Sequence, residues 1–393
     1  MEKRKNLLKI MVVVGTRPEA VKLAPVIKAL RLHPDFFNTT IVATAQHREL
    51  LDQTLSIFKI KPDLDLNLMS SCQGLQDLTG RILSSITQTI NEVKPDLVMV
   101  QGDTTTVFSG ALAAFYQKTP VAHIEAGLRT YRKYSPFPEE MNRRLTSALT
   151  DIHFAPTLSA KQALLNEGVS PEKIVVTGNT VVDALLEVCE FSPSIKHPDI
   201  SDFDFEKYRL LLVTSHRRES WGQELQNICM AIKELVEKYP DVMVVYPVHP
   251  NPVVKNTANQ VLGNVDRIKL VDPLDYLTFI HLMKKSYMIL TDSGGLQEEA
   301  PTLKKPLLLL RDVTERPEAF EAGFAKIVGT SSRNIVREAG TLLDDRSAYS
   351  KMISGNNPYG DGKAGDRIVQ ALFRWQHGVT PLLSEAEEFT FRV

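Results

Sequence analysis

Residues 10–22 read IMVVVGTRPEAVK, and the junction inside them decides the fold. Ile10 to Val14 is an apolar run of strand length with no polar alternation, the pattern of a strand buried on both faces. Gly15 and Thr16 break the run, and Arg17-Pro18 opens a helical pattern in which proline suits the first turn. A strand that turns directly into a helix is the opening unit of parallel α/β architecture. Outward from this junction the same rhythm continues, with short β-branched runs at residues 40–44, 97–100 and 121–124 separated by helical stretches. It restarts at residues 210–214, 242–247, 268–271, 288–291 and 307–310. A chain of 393 residues exceeds one ordinary hydrophobic core, so two α/β sheets are expected. The crossing between them is placed near Thr177, ahead of a stretch of mixed charge and little periodicity at residues 188–205.

Charge and cysteine usage narrow the function. The chain carries 46 basic and 47 acidic residues, a balance that supplies no general attraction to nucleic acid or an anionic membrane. An anion site, if there is one, has to be local. Cys72, Cys189 and Cys229 are far apart, with neither the paired spacing of a zinc site nor the density of a disulfide scaffold. His33, His153, His197, His281 and His377 show no ligand spacing either, so no metal is expected. The basic residues before Ile10 are followed by an interruption at Lys9 and no small-residue cleavage pattern, and no later segment approaches a membrane span. The expectation is a soluble, cytoplasmic protein with no nucleic-acid or membrane partner.

The candidate chemistry lies where strands give way to loops. In GTRPEAVK, backbone amides at the helix start can face an anion, and Arg17 and Lys22 add positive charge; a solvated Arg–Glu pair is the plain alternative. The later glycines of a dinucleotide fingerprint are missing, so no nicotinamide is supported and no cofactor is expected. QGDTTT places Asp103 at the carboxyl end of a strand, where open α/β sheets bind ligands, although an aspartate before threonines can also cap a helix. HIEAGLRT places Glu125 at the equivalent edge of the next strand, with Gly127 turning the chain behind it. SPFPEEMNRR offers Glu139 on a proline-flanked loop as a candidate acid or base, or as a dipole complement in a first helical turn.

In the second half, LLVTSHRRESWG presents His216 beside two arginines, a setting that favours a neutral imidazole and an anionic ligand. ILTDSGGLQEEA puts Ser293, Gly294 and Gly295 between strand and helix, where backbone amides can approach a diphosphate. Glu299 lies one turn further in and suits sugar hydroxyls, which donate to a carboxylate. Arg316 in RDVTERPEA is a further anion contact. No GxSxG elbow or P-loop is present, which counts against a serine hydrolase or an ATPase.

GTRPEAVK, GDTTT, HIEAGLRT, PFPEEMNR, HRRESWG, TDSGGLQEEA, RDVTERPEA and NPYGDGKA, in that order along nearly the whole chain, together resemble the non-hydrolysing UDP-N-acetylglucosamine 2-epimerase family. The resemblance implies two Rossmann-like domains in the GT-B architecture with the active site in the interdomain cleft. It also implies a final helix returning to the first domain, which gives residues 1–176 plus about 366–393 to one domain and 177–365 to the other. The implied reaction inverts C2 of UDP-N-acetylglucosamine by anti elimination of UDP to 2-acetamidoglucal and re-addition, giving UDP-N-acetylmannosamine. Asp103, Glu125, Glu139 and His216 become the catalytic group, the carboxylates sharing acid, base and positioning work. Arg17, Lys22, Ser293, Gly294, Gly295 and Arg316 become substrate or diphosphate contacts, Glu299 a ribose contact and Phe279 the uracil side. A homodimer serving polysaccharide biosynthesis is implied as well.

The sequence departs from the family at two places. Ser215 stands where the family usually has glycine, and Cys72 stands where some members have an arginine that helps bind an activating second substrate molecule. Gln46 and Arg48 match that possible allosteric neighbourhood. Two alternatives stay open: an epimerase of a related UDP-2,3-diacetamido sugar acid, and a GT-B glycosyltransferase. The latter needs no C2 proton chemistry and so gives no reason for three carboxylates.

Overall fold

A computed structural model of the chain describes residues 7–44, 48–68, 74–191, 197–201, 203–215, 217, 221–314 and 316–391. Two compact units result, Met1–Ala184 with Tyr359–Thr390, and Leu185–Pro358 with Phe391–Val393.

Unit 1 is built on β1 (Leu8–Val14), β2 (Phe37–Ala43), β3 (Leu64–Asp65), β4 (Leu97–Gln101), β5 (Val121–Ile124), β6 (Ile152–Ala155) and β7 (Ile174–Val176). They form a parallel sheet in the order β3-β2-β1-β4-β5-β6-β7. The connecting helices are α1 (Arg17–Arg31), α2 (Arg48–Ile57), α3 (Leu75–Val93), α4 (Thr105–Tyr116), α5 (Glu139–Leu149), α6 (Leu158–Asn166) and α7 (Thr180–Glu190). Unit 2 repeats the plan with β8 (Arg209–Thr214), β9 (Val242–Pro247), β10 (Ile268–Val271), β11 (Met288–Thr291), β12 (Leu307–Leu309) and β13 (Ala325–Ile327). Its parallel order is β10-β9-β8-β11-β12-β13. The helices α8 (Gln223–Lys238), α9 (Pro252–Leu262), α10 (Tyr276–Lys285), α11 (Gly295–Glu299), α12 (Pro317–Glu321), α13 (Ser332–Asp344) and α14 (Arg346–Met352) follow, and α15 (Ala364–Gln376) belongs to unit 1.

The central strands are apolar throughout because both faces are covered: Met11, Val12 and Val14 in β1 and Val98, Met99 and Val100 in β4 are fully buried. The amino ends of the unit 1 strands are closed by a repeated device. Lys9 N donates to Asp96 Oδ2 (2.9 Å) while Asp96 N donates to Lys9 O (2.8 Å). Asp151 does the same for Val121, and Asp63 for Ile41. At each of these ends an aspartate completes the last ladder step, leaving the carboxyl ends as the place where loops are free to vary.

Residues 177–184 and 359–365, on the second-domain side of the boundary read from the sequence, pack in unit 1. Asn179 N donates to Tyr359 O (2.6 Å) and Gly365 N to Asp183 Oδ1 (2.8 Å), so α7 and the start of α15 are tied together. The division between units falls within α7.

In both sheets the strand order reverses direction at one place, between β1 and β4 in unit 1 and between β8 and β11 in unit 2. A crevice opens at the carboxyl edge of such a switch point, and ligands of open α/β sheets bind there.

Candidate active site

At the switch point of unit 1 the loop after β1 is packed so tightly that a Cβ on Gly15 would collide with Thr106 Oγ1 and come within 2.8 Å of Thr44 Oγ1. Thr16 caps α1, Arg17 is its first residue and half-buried, and Pro18 lies in the first turn. Glu19 is not the solvated partner of an arginine. It is 1% exposed and accepts from Gly15 N (2.6 Å), Thr16 Oγ1 (3.0 Å) and Thr104 Oγ1 (2.7 Å). Burial pushes its carboxyl up to about 7 against those donors.

Two strands along, Glu125 follows β5 with φ of 64°, a left-handed conformation that costs a non-glycine residue roughly 1–3 kcal/mol. It is buried, whereas the other non-glycine residues of positive φ among the described residues are exposed or half-buried. Its Oε1 accepts from Lys22 Nζ and from Asn179 Nδ2 (3.1 Å), and its Oε2 from Gln101 Nε2. Lys22 therefore directs its ammonium at a carboxylate. Behind Glu125, Gly127 has φ of 96°, and a Cβ there would collide with the Ala160 carbonyl oxygen. His123 in β5 is fully buried; its Nε2–H donates to Gly102 O (2.7 Å), and burial pushes the imidazole down to about 4. The neutral ring holds the turn that delivers Asp103.

Asp103 does not cap α4; Thr104 does, accepting from Val107 N. The Asp103 carboxylate instead meets Arg143, whose Nε lies 2.9 Å and Nη2 2.7 Å from Oδ2. Arg143 also donates to Glu140 Oε2 (3.0 Å), and Asn142 Nδ2 donates to Asp103 O (2.9 Å). The two neighbouring glutamates of this segment divide their tasks. Glu140 is buried and accepts from Thr130 N and Tyr131 N (2.9 and 3.0 Å), which pins the proline loop to α5. Glu139, the first residue of α5, has a buried Oε2 with no hydrogen-bond partner among the described residues. The unit 1 crest thus brings Glu125, Lys22, Asp103 and Glu139 to adjoining strand ends and the helix start beside them. Glu19, Gln101, His123, Glu140, Arg143 and Asn179 are supports that the sequence reading did not single out.

Unit 2 has its own crest. Ser215 Oγ (3.1 Å) and Arg217 N (2.9 Å) both donate to Asp292 Oδ2, and Tyr246 OH donates to Ser215 O (3.2 Å). His216 lies outside the described residues, between two residues held by one buried aspartate. Ser293 N turns back to Thr291 Oγ1 (2.9 Å), whereas a Cβ on Gly295, beside the helix cap Gly294, would meet open space. Glu299 closes α11, buried, with Tyr276 OH at 3.4 Å. Phe279 is half-buried on α10. Arg316 directs Nε at the buried Glu298 (2.6 Å). Gln46 and Cys72 lie outside the described residues, and Arg48 opens α2.

Among the described residues no group of three or more His, Cys, Asp and Glu could hold a metal ion, and no helix is long and apolar enough to cross a membrane.

Residues 28–373 match the family model described as UDP-N-acetylglucosamine 2-epimerase. The chain is 49% identical over 370 residues to the UDP-N-acetylglucosamine 2-epimerase of Escherichia coli K12, spanning 93% of this chain and 98% of that one. It resembles the solved structure of S. aureus MnaA with UDP at a TM-score of 0.89 and 47% identity, over 98% of this chain and 100% of the other. It resembles the Neisseria meningitidis UDP-GlcNAc 2-epimerase bound to UDP-GlcNAc at a TM-score of 0.87 and 49% identity, over 93% and 100%. With identities of this order across nearly the full length of both partners, and strand-end carboxylates in the matching motifs, the chain belongs to the UDP-N-acetylglucosamine 2-epimerase family.

Proposed function

We propose that the protein interconverts UDP-N-acetylglucosamine and UDP-N-acetylmannosamine by eliminating UDP and adding it back. The C2 proton of the sugar has no carbonyl beside it, so direct removal and return is too difficult; loss of UDP from C1 as the proton leaves supplies the driving force. The step breaks the C2–H and C1–O bonds and forms the C1–C2 double bond of 2-acetamidoglucal. Return of a proton to the opposite face and of UDP to C1 completes the inversion.

The observation that carries this reading is the set of three carboxylates on the unit 1 crest. Asp103 and Glu125 sit at neighbouring strand ends, and Glu139 has an acceptor oxygen that a substrate hydroxyl or a transferred proton would complete. A protein that only bound the nucleotide would have no use for them. In this reading Asp103, Glu125 and Glu139 handle the proton, with Lys22 serving Glu125 rather than phosphate. The Gly294-Gly295 turn receives the diphosphate with Arg316, Glu299 holds the ribose, Phe279 flanks the uracil, and His216 stabilises charge on departing UDP, while Arg17 remains a substrate contact of the unit 1 crest. The family resemblance supports the GT-B architecture, a cytoplasmic homodimer and a product destined for polysaccharide synthesis.

The test is incubation with UDP-N-acetylglucosamine alone in D2O, followed by NMR. UDP-N-acetylmannosamine carrying deuterium at C2 is expected, with exchange lost in Glu139→Gln and Asp103→Asn while UDP still binds. Absence of both epimer and exchange in the wild type overturns the reading.

A further inference from the structure

We infer that Glu19 is a positioning residue for this reaction, its buried carboxylate clamping the Gly15-Thr16 turn to Thr104 and so fixing the main chain that carries Asp103. The inference rests on the proposed epimerase reading. A glutamate three residues after a helix cap ordinarily belongs to a capping box, and that habit accounts for the contacts at Gly15 and Thr16. It does not account for Thr104, which lies 85 residues away in sequence and donates to Glu19 Oε1 at 2.7 Å. The clamp joins the loops after β1 and β4, the two strands that flank the switch point.

Thr104 transmits the constraint. Its hydroxyl gives its proton to Glu19 and its lone pair accepts from Val107 N at the start of α4 (3.4 Å). The carboxylate therefore decides which way the hydroxyl points and which amide it caps. Asp103 is the next residue back, held from the other side by Arg143 and Asn142. All four groups facing Glu19, the amides of Gly15 and Thr16 and the hydroxyls of Thr16 and Thr104, are donors. Glutamine would keep one acceptor oxygen for the threonines and turn its NH2 against Gly15 N–H, donor against donor. Burying a carboxylate where an apolar side chain of similar size would cost less is intelligible if the geometry it enforces serves the reaction.

The test compares Glu19→Gln, Thr104→Val, the double variant and Thr104→Ser, at pH 8 so that the wild-type carboxyl is ionised. A shift of the Asp103 main chain on the ångström scale predicts a kcat about 10- to 100-fold lower in Glu19→Gln, with KM within about threefold. Thr104→Val is expected to lower kcat in the same way while leaving the contacts of Glu19 with Gly15 and Thr16 in place; it also removes the α4 cap at Val107 N, which Thr104→Ser restores, and it keeps the inference testable if Glu19→Gln folds poorly. Because both act through one contact, the double variant should be no slower than the slower single variant within about twofold. Thr104→Ser, which restores the hydroxyl, should recover most of the kcat lost in Thr104→Val. Unfolding midpoints that fall while kcat per folded molecule stays at the wild-type value would overturn the positioning role and leave a capping box. Wild-type enzyme with no C2 exchange in D2O would instead overturn the epimerase reading.

Discussion

Replacing Lys22 by methionine separates two roles for that residue. Its ammonium and the Glu125 carboxylate form an ion pair whose side chains are 12% and 7% exposed. Removing the cation leaves Glu125 in place with only the neutral donors Gln101 and Asn179. Breaking one side of a buried pair costs about 3–5 kcal/mol, and the two remaining donors put Lys22→Met at the low end, about 3 kcal/mol. For a unit of about 200 residues that is a fall of about 6–12 °C in its unfolding midpoint. Glu125→Gln should cost less, about 1–2 kcal/mol, because the lysine stem can carry its charge towards water. The double variant buries no charge, so its cost should fall short of the sum of the singles by about 2 kcal/mol. Calorimetry of the four proteins measures this coupling. Steady-state kinetics add a second reading: loss of a phosphate contact would raise KM, whereas loss of the group that orients Glu125 should lower kcat about a hundredfold with KM nearly unchanged. Costs that add within about 0.5 kcal/mol, or an effect confined to KM, would refute the pairing argument.

Gly127→Ala should be severely destabilising, by more than about 3 kcal/mol, because left-handed backbone strain adds to a collision with the main chain at Ala160. Gly80→Ala, exposed within α3 with nothing within 4 Å of the new methyl, should instead stabilise by about 0.5–1 kcal/mol; thermal unfolding of both checks the pair. Glu19 titrates near 7 when folded and 4.5 as a free side chain. Between those values the native state keeps a proton that the unfolded chain has released, so this group's contribution to stability is full below about 4.5 and falls by about 3 kcal/mol as pH rises through 7. Glu19→Met should therefore gain on the wild type in unfolding midpoint from pH 5 to pH 8, and a pH-independent difference would contradict this. Asp183→Ala removes the acceptor for Gly365 N at the start of α15, where Lys363 offers no side-chain cap. It should cost about 1–2 kcal/mol and raise amide exchange across residues 364–376 about tenfold.

The sequence made most strands plain, including the short β5, β10, β11 and β12, but not β3, β6, β7 or β13. β1 beyond Lys9, β4, β8 and β9 contain uninterrupted apolar runs. β6, β7 and β13 have four, three and three residues, and in β6 and β13 His153 and Lys326 interrupt the apolar run, so the pattern cannot be told from one helical turn. Asp103, Glu125 and Glu139 were legible because strand ends and proline loops mark themselves in the sequence. Their partners were not, since Lys22 and Glu125, Glu19 and Thr104, and Asp103 and Arg143 are joined by strand order, and sequence spacing carries no trace of a contact across 40 to 103 positions. Lys22 shows the consequence. Positive charge near a helix start suggests phosphate, but the residue lies more than a turn inside α1, on the side that meets β5's end.

The two ends of the unit 1 sheet differ in a way that bears on function. At the amino ends, Asp63, Asp96 and Asp151 each satisfy a strand amide and are satisfied in return, and the left-handed residues ahead of β3, β4 and β5, Lys59, Lys94 and Lys118, are exposed loop residues. At the carboxyl ends stand a left-handed glutamate, a buried carboxyl pushed up to about 7, a carboxylate oxygen without a partner among the described residues, and a glycine that no other residue can replace. Each feature costs stability, and at the other end of the sheet the left-handed residues are exposed and the buried carboxylates are replaced by aspartates paired with strand amides. Buried strain on the ligand-facing edge is the physical signature of a site held in advance for a ligand. If that is its origin, relieving the strain at Glu125 by Glu125→Gly should leave the fold intact while the C2 exchange is lost.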